Sequence, residues 1–308
     1  MEKTILVIGR SFHPDGKETA ELIATSLTPY IQNEGYQVVF LALKDILFDI
    51  NTGEVKIMDP SGVELKKYGA VLMTNWFSHA SIRKDIAYSL GLYFKHNQVA
   101  FFNEEAAASR STSKLSQMVV AAYANIPIAR TIFSLSLQRT RNYASKVIKA
   151  PFILKDAQAS RGAGNYLLQD FGQVLSHKAE HTEKTPFVIQ ECISSDGSDF
   201  RFFVTGNAML VIKRSGADGS HLNNTSAGGS AELVPLEQFD QDVINYVQNM
   251  SHLLGRNVTG IDIMFDSKTN KPYFLEANPI PQIATGSFVH EKLTALADML
   301  VLAAKEKL

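Results

Sequence analysis

Between Lys3 and Asn103, short apolar runs rich in β-branched and aromatic residues alternate with longer stretches of helical period. ILVIG is followed by a helix-like stretch to Asn33, then by YQVVFLAL, AVLMTN and VAFF. That alternation predicts an α/β unit with a mostly parallel sheet. From about Arg110 the rhythm changes to a helix containing Lys114, a turn at Ile126-Pro127, the strand ARTIF and another helix. Closely spaced strands PFILKD, NYLLQD and FVIQECI follow, so this half reads as α+β. DFRFFVTGN and AMLVIKRS come next, joined by a Gly-Asn pair that signals a type I′ or II′ hairpin. Gly216 to Gly229 is a polar loop. The helix EQFDQDVINYVQNMSHLLG then aligns Val243, Val247, Met250 and Leu254 on one side and stops at Gly255. VTGIDIMFD and PYFLEAN face each other across SKTNK, and an apolar helix follows them.

Composition narrows the function classes. With 308 residues, 45% hydrophobic and 20% charged, the chain can form two or three packed units and is not disordered. A net charge of -1 without long runs of like charge argues against a nucleic-acid partner and for a small or locally charged substrate. The single cysteine, Cys192, cannot form an internal disulfide, and MEKTILVIGR leads directly into a strand, which points to the cytoplasm. No apolar stretch reaches the roughly 20 residues that cross a bilayer. The strand ending at Gly9 is not followed by Gly-x-Gly-x-x-Gly, and no Walker loop occurs, so neither nucleotide fingerprint is present.

Side chains alternate across a strand, so Phe274, Glu276 and Asn278 are expected on one face and Tyr273, Leu275 and Ala277 on the other. Asp262, between Ile261 and Ile263, needs a hydrogen bond, an ion pair or a cation to offset its burial, and magnesium suits such oxygen donors. Turn capping or pairing with lysines is the alternative for Asp262 and Glu276. In PFILKDAQASRGAGNYLL, Gly162 and Gly164 allow backbone amides near an anion while Lys155 and Arg161 add positive charge, although an ordinary hairpin loop reads the same way. Arg201 is in phase with Phe203 and opposite Phe200 and Phe202. Lys213 and Arg214 point to opposite sides, so at least one faces inward. Cys192, in an apolar strand without a nearby histidine, reads as structural. His13, His79 and His221 lack metal-ligand spacing. HPDGK reads as a pocket-lining segment or as a helix start capped by Asp15.

Taken in order from Lys114 to Asn278, this succession resembles the ATP-grasp superfamily and, within it, the RimK-like amino-acid ligases. The IDI and EAN strands are the most specific part of the match. The resemblance implies an ATP-grasp fold of two α+β subdomains clasping ATP at 110–308, divided at about 114–190 and 191–308. An N-terminal α/β pre-ATP-grasp domain at 1–109 would precede it. It implies that Lys114 and Lys155 contact nucleotide phosphates, and that Gln190, Glu191 and Ile193 line the adenine pocket. Asp199 would approach the ribose, and Asp262, Glu276 and Asn278 would bind magnesium. Arg214 and Asn224 would stand beside the transferred phosphoryl group, giving a catalytic set of Arg214, Lys155 and Asn224. Arg161, Gly162, Gly164, Arg201 and Lys213 complete the expected nucleotide-binding surface. The implied activity joins a carboxylate to an amine through an acyl phosphate, with ATP and Mg²⁺ (or Mn²⁺) as cofactors. Its substrates would be an amino acid, a peptide or a protein terminus, and a homo-oligomer is expected. A kinase and a noncatalytic ATP-binding module are the rival readings. Two departures border the expected substrate pocket: Leu222 replaces an arginine often found two residues before the asparagine, and NPIPQ lacks a glycine after its first proline. They imply an acceptor different from that of the best-known members.

Overall fold

The computed structural model describes residues 3–11, 18–74, 81–105, 113–157, 164–182, 186–216, 229–279 and 281–306. The first sheet contains β1 (Thr4–Gly9), β2 (Gln37–Ala42), β5 (Ala70–Met73) and β6 (Ala100–Phe102) in the order β2-β1-β5-β6. Every pairing is parallel, as the α/β rhythm predicts. β1 is buried along its whole length because both faces are covered. Ile5 and Val7 share a core with α1 (Ala20–Asn33) and α6 (Val289–Glu306). Leu6 and Ile8 point the other way, into a core built with α2 (Ser81–His96).

Helix α1 is capped by Thr19, whose Oγ1 accepts the Leu22 amide at 3.2 Å. The expected capping residue, Asp15, lies outside the described residues, and the first helical residue is Ala20. At the C-terminal end of β1, a Cβ on Gly9 would lie 2.5 Å from Thr74 Oγ1 and 2.6 Å from Ala20 Cβ. Helix and strand can approach this closely only without a side chain. Gly9→Ala is therefore expected to cost about 1–3 kcal/mol of stability through overpacking, measured by urea denaturation.

Three strands escape the hydrophobic pattern. β3 (Leu47–Asn51) and β4 (Glu54–Met58) form a separate antiparallel hairpin, with Ile50 and Val55 exposed and paired only with each other. β13 (Ser230–Val234) is an edge strand with no fully buried residue, so it has no apolar run to reveal it. The helix expected from Glu237 also begins later: α5 spans Gln241–Leu254, and a short 3-10 turn covers Leu236–Gln238.

The second sheet has the order β7-β10-β8-β9, from β7 (Thr131–Phe133), β8 (Phe152–Asp156), β9 (Asn165–Leu168) and β10 (Phe187–Glu191). Helix α4 (Leu137–Val147) packs on it around Phe152 and Ile189. The third sheet, β13-β12-β11-β14-β15, contains β11 (Ser198–Thr205), β12 (Ala208–Ser215), β14 (Val258–Phe265) and β15 (Pro272–Asn278). Strands β11 and β12 meet at a two-residue turn, where Gly206 adopts φ 62°. Phe202 and Val204 pack toward α3 (Lys114–Tyr123) and α5, while Phe203 packs toward α6. Helix α6 thus supplies core to the first sheet on one side and the third sheet on the other. Among the described residues, no helix is long and apolar enough to cross a membrane.

Candidate active site

The acidic part of the site is built on β14 and β15. Asp262 stands opposite Glu276, but the next pair is Ile263 with Phe274, so Leu275 is an extra residue. This β-bulge breaks the expected alternation. Phe274 turns into the core with Ala277, whereas Glu276 and Asn278 remain on the site face, so Phe274 does not share their side. Asn278 Nδ2 donates to Glu276 Oε1 at 3.0 Å and lies 3.4 Å from Asp262 Oδ2, bringing the three side chains together.

Strand register supplies the positive charges. Arg201 on β11 is directly opposite Asp262, and its Nε and Nη2 each donate to that carboxylate at 2.8 Å. Arg214 on β12 is opposite Asp199 and grips it through two bonds of 2.7 and 2.8 Å. Its Nη2 also reaches Asp262 at 3.0 Å. A buried chain of alternating charge therefore runs Asp199, Arg214, Asp262, Arg201 across three adjacent strands. Burial alone would raise the Asp262 pKa, but the two arginines hold it below the ordinary carboxylate range. Asp199 is pushed up to about 6 by burial; Arg214 opposes this and Asp262 adds to it. Asp199 is thus the first member of the chain to take a proton as pH falls.

Lys114, the first residue of α3, places Nζ 3.8 Å from Glu276 Oε2. On the second sheet Lys155 donates to Gln190 Oε1 at 2.6 Å, and Gln190 Nε2 donates to Thr131 Oγ1 at 2.9 Å. Burial, reinforced by repulsion from Lys114 and only partly offset by Glu276, lowers Lys155 to about 8. Between that pH and the ordinary lysine value of 10.5 the unfolded chain binds more protons than the folded one. Stability is therefore expected to rise with pH across this window. Lys155→Met should remove its share of the rise, measured by urea denaturation at several pH values.

Beside the acidic strands, the segment after Asn278 is tied down from two directions. Glu18 accepts the Ile283 amide at 2.9 Å and the Thr285 hydroxyl at 3.3 Å, and also accepts the Ala284 amide. Lys292 on α6 donates to the carbonyls of Gln282 and Thr285. Neither residue was expected at the site, because each reads as an ordinary surface charge at a helix start.

The family model for the RimK-like ATP-grasp domain matches residues 111–299. The chain belongs to the RimK-like ATP-grasp family. A probable alpha-L-glutamate ligase of Saccharophagus degradans is 30% identical over 183 residues, which are 58% of this chain and 59% of that protein. Another, from Vibrio parahaemolyticus, is 27% identical over 271 residues, 84% of this chain and 85% of its own length. Among solved structures, the ATP-grasp ligase PsnB complexed with a minimal precursor, Mg and ADP shares 15% identity and has a TM-score of 0.72. That match covers 99% of this chain and 98% of PsnB. The ATP-grasp fold and the ligase class follow from membership in the RimK-like family.

Of the residues expected in this RimK-like site, Lys114, Asp199, Arg201, Arg214, Asp262, Glu276 and Asn278 lie on one connected surface, with Lys155 and Gln190 on the neighbouring sheet. Lys213 is on the opposite face, 6.0 Å from the Phe200 ring centre and 3.9 Å from Glu232. Glu191 is exposed at the end of β10, and Ile193 is half-buried just beyond it. Gly164 adopts φ 70° and accepts the Asp156 amide at 2.9 Å. Arg161, Gly162, His13, His79, His221, Leu222 and Asn224 lie outside the described residues, as does most of the polar loop from Gly216 to Gly229. Cys192 is a free, half-buried thiol whose pKa is raised by burial, contrary to what an activated nucleophile requires.

Among the described residues, no group of three or more His, Cys, Asp or Glu side chains is arranged to hold a metal. Asp262, Glu276 and Asn278 nevertheless offer oxygen donors only, the set that suits Mg²⁺. The donors fit in type, and the Asn278 amide, whose Nδ2 faces the two carboxylates, would have to turn its oxygen toward the ion. Asp262 would have to exchange arginine contacts for the ion.

Proposed function

We propose that this chain is an ATP-dependent ligase that joins a carboxylate to an amine through an acyl phosphate. The observation that carries this reading is the charge chain of Asp199, Arg214, Asp262 and Arg201 running into Asn278, Glu276 and Lys114. Phosphoryl transfer needs alignment and charge neutralisation more than it needs a protein nucleophile. Asp262, Glu276 and Asn278 would hold magnesium, for which manganese could substitute; when bound, the ion neutralises phosphate oxygens. Lys114 and Lys155 would bind the phosphates from the facing wall, with Gln190 orienting Lys155. Arg201, once released from Asp262, would be free to meet an anionic substrate, for which a planar guanidinium is well shaped, while Arg214 would stay paired with Asp199 beside it.

In the reaction, the substrate carboxylate oxygen attacks the γ-phosphorus and ADP departs. The amine then attacks the acyl carbon, phosphate leaves with the former carboxylate oxygen, and the nitrogen loses a proton. The names of the relatives make glutamate the first amino acid to try, and the precursor bound to PsnB makes a peptide the second.

The test is a phosphate-release screen over amino acids and peptides, with hydroxylamine present to trap an acyl phosphate as a hydroxamate. Release that needs both carboxylate and amine supports ligation. A stable phosphorylated product without phosphate release supports the kinase reading, and ATP binding without turnover supports a binding module.

A further inference from the structure

β15 is the edge of its sheet, and among the described residues its outer side meets no further strand, only an isolated parallel bridge between Phe274 and Ile128. Helix α3 and the segment after it take the place of that strand. Gln117, buried on α3, accepts the Ala277 amide on Oε1 at 2.8 Å and donates from Nε2 to the Ala277 carbonyl at 3.3 Å. The Pro127 carbonyl accepts the Phe274 amide at 2.8 Å. These two contacts bracket the bulge at Leu275 from outside. Arg256 also donates to the Ala277 carbonyl.

Ala277 separates Glu276 from Asn278, so whatever holds its backbone sets where those side chains point. Gln117 is also one helical turn beyond Lys114, which faces Glu276. We propose that Gln117 is a positioning residue, a side-chain substitute for the missing strand that fixes Glu276 and Asn278 for the cation and sets Lys114 above them. This rests on the ligase reading for its purpose and on the Ala277 contacts for its geometry.

The whole protein should be titrated with Mn²⁺ in the presence of a nonhydrolysable ATP analogue, with binding followed by electron paramagnetic resonance. Gln117→Met keeps the length of the side chain and removes both contacts. It is expected to weaken Mn²⁺ binding by about 10–100-fold, the usual effect of losing an outer-shell partner, and to speed hydrogen exchange at the Ala277 amide. Gln117→Glu retains an acceptor for that amide and should keep much of its protection, which also serves if the methionine variant fails to fold. Tyr123→Ser, at an exposed site on the same helix, should behave as wild type. Wild-type Mn²⁺ affinity and wild-type Ala277 exchange in a folded Gln117→Met protein would overturn the proposal. Failure of the wild type itself to bind Mn²⁺ would instead sink the ligase reading, while the exchange data would still judge the clamp.

Discussion

Urea denaturation of an Arg256→Ala variant is expected to show a loss of about 3–5 kcal/mol, the range seen when one member of a buried ion pair is removed. Arg256 is fully buried, and its Nε and Nη2 donate to the Glu105 carboxylate at 2.7 and 2.8 Å. Glu105 follows the last strand of the first sheet, whereas Arg256 lies in the connection between α5 and β14. The pair therefore fastens the first sheet to the third. Substitution leaves a buried carboxylate without this guanidinium and deprives the Ala277 carbonyl of a donor. Arg256→Met combined with Glu105→Leu should recover much of the loss, because the uncompensated charge goes with its partner. A single-variant loss below about 1 kcal/mol would contradict this account of a desolvated pair.

Asp262→Asn is expected to cut ATP-dependent phosphate release by about a thousandfold, the scale of removing a central electrostatic group from an enzyme site. The substitution changes almost no volume, and the amide oxygen can still accept from Arg201. It removes the negative charge that would hold a cation, takes from Arg201 the carboxylate it grips, and leaves Arg214 paired with Asp199. Asp199→Asn removes the other carboxylate of the chain and should cost less, because its hydrogen bonds to Arg214 are what join Asp199 to Asp262, Glu276 and Asn278. Steady-state rates with saturating ATP and magnesium would separate the two. Equal losses would show that the charge chain acts as one unit without a distinct role for Asp262.

The pair of strands bearing Asp262, Glu276 and Asn278 was readable because ionisable residues inside apolar runs need an explanation, and the order of motifs around them is specific. Their common face survives in the structure, but Phe274 leaves it, since a bulge inserts one residue without any signal in PYFLEAN. The opposed faces of Lys213 and Arg214 follow from simple alternation. Gln117 and the Glu105–Arg256 pair were not legible. A glutamine in KLSQMVVAAY resembles a helix-surface residue, and partners 151 residues apart leave no local pattern. The β3–β4 hairpin and β13 were missed because largely exposed strands lack the apolar run that marks a buried one, Ile57 being the one buried residue of the hairpin.

The place of α6 has a consequence for how the chain is made. Leu293, Leu296, Leu300 and Val301 fill the same core as Ile5, Val7, Ile23 and Leu27, and Tyr30 meets His290 across 260 residues of sequence. Contacts so distant come late in synthesis, and closing so long a loop gives no reward until both ends meet. On the ribosome the first sheet and α1 must wait with part of one oily flank uncovered until residues 289–306 emerge, a natural client for a chaperone in the interval.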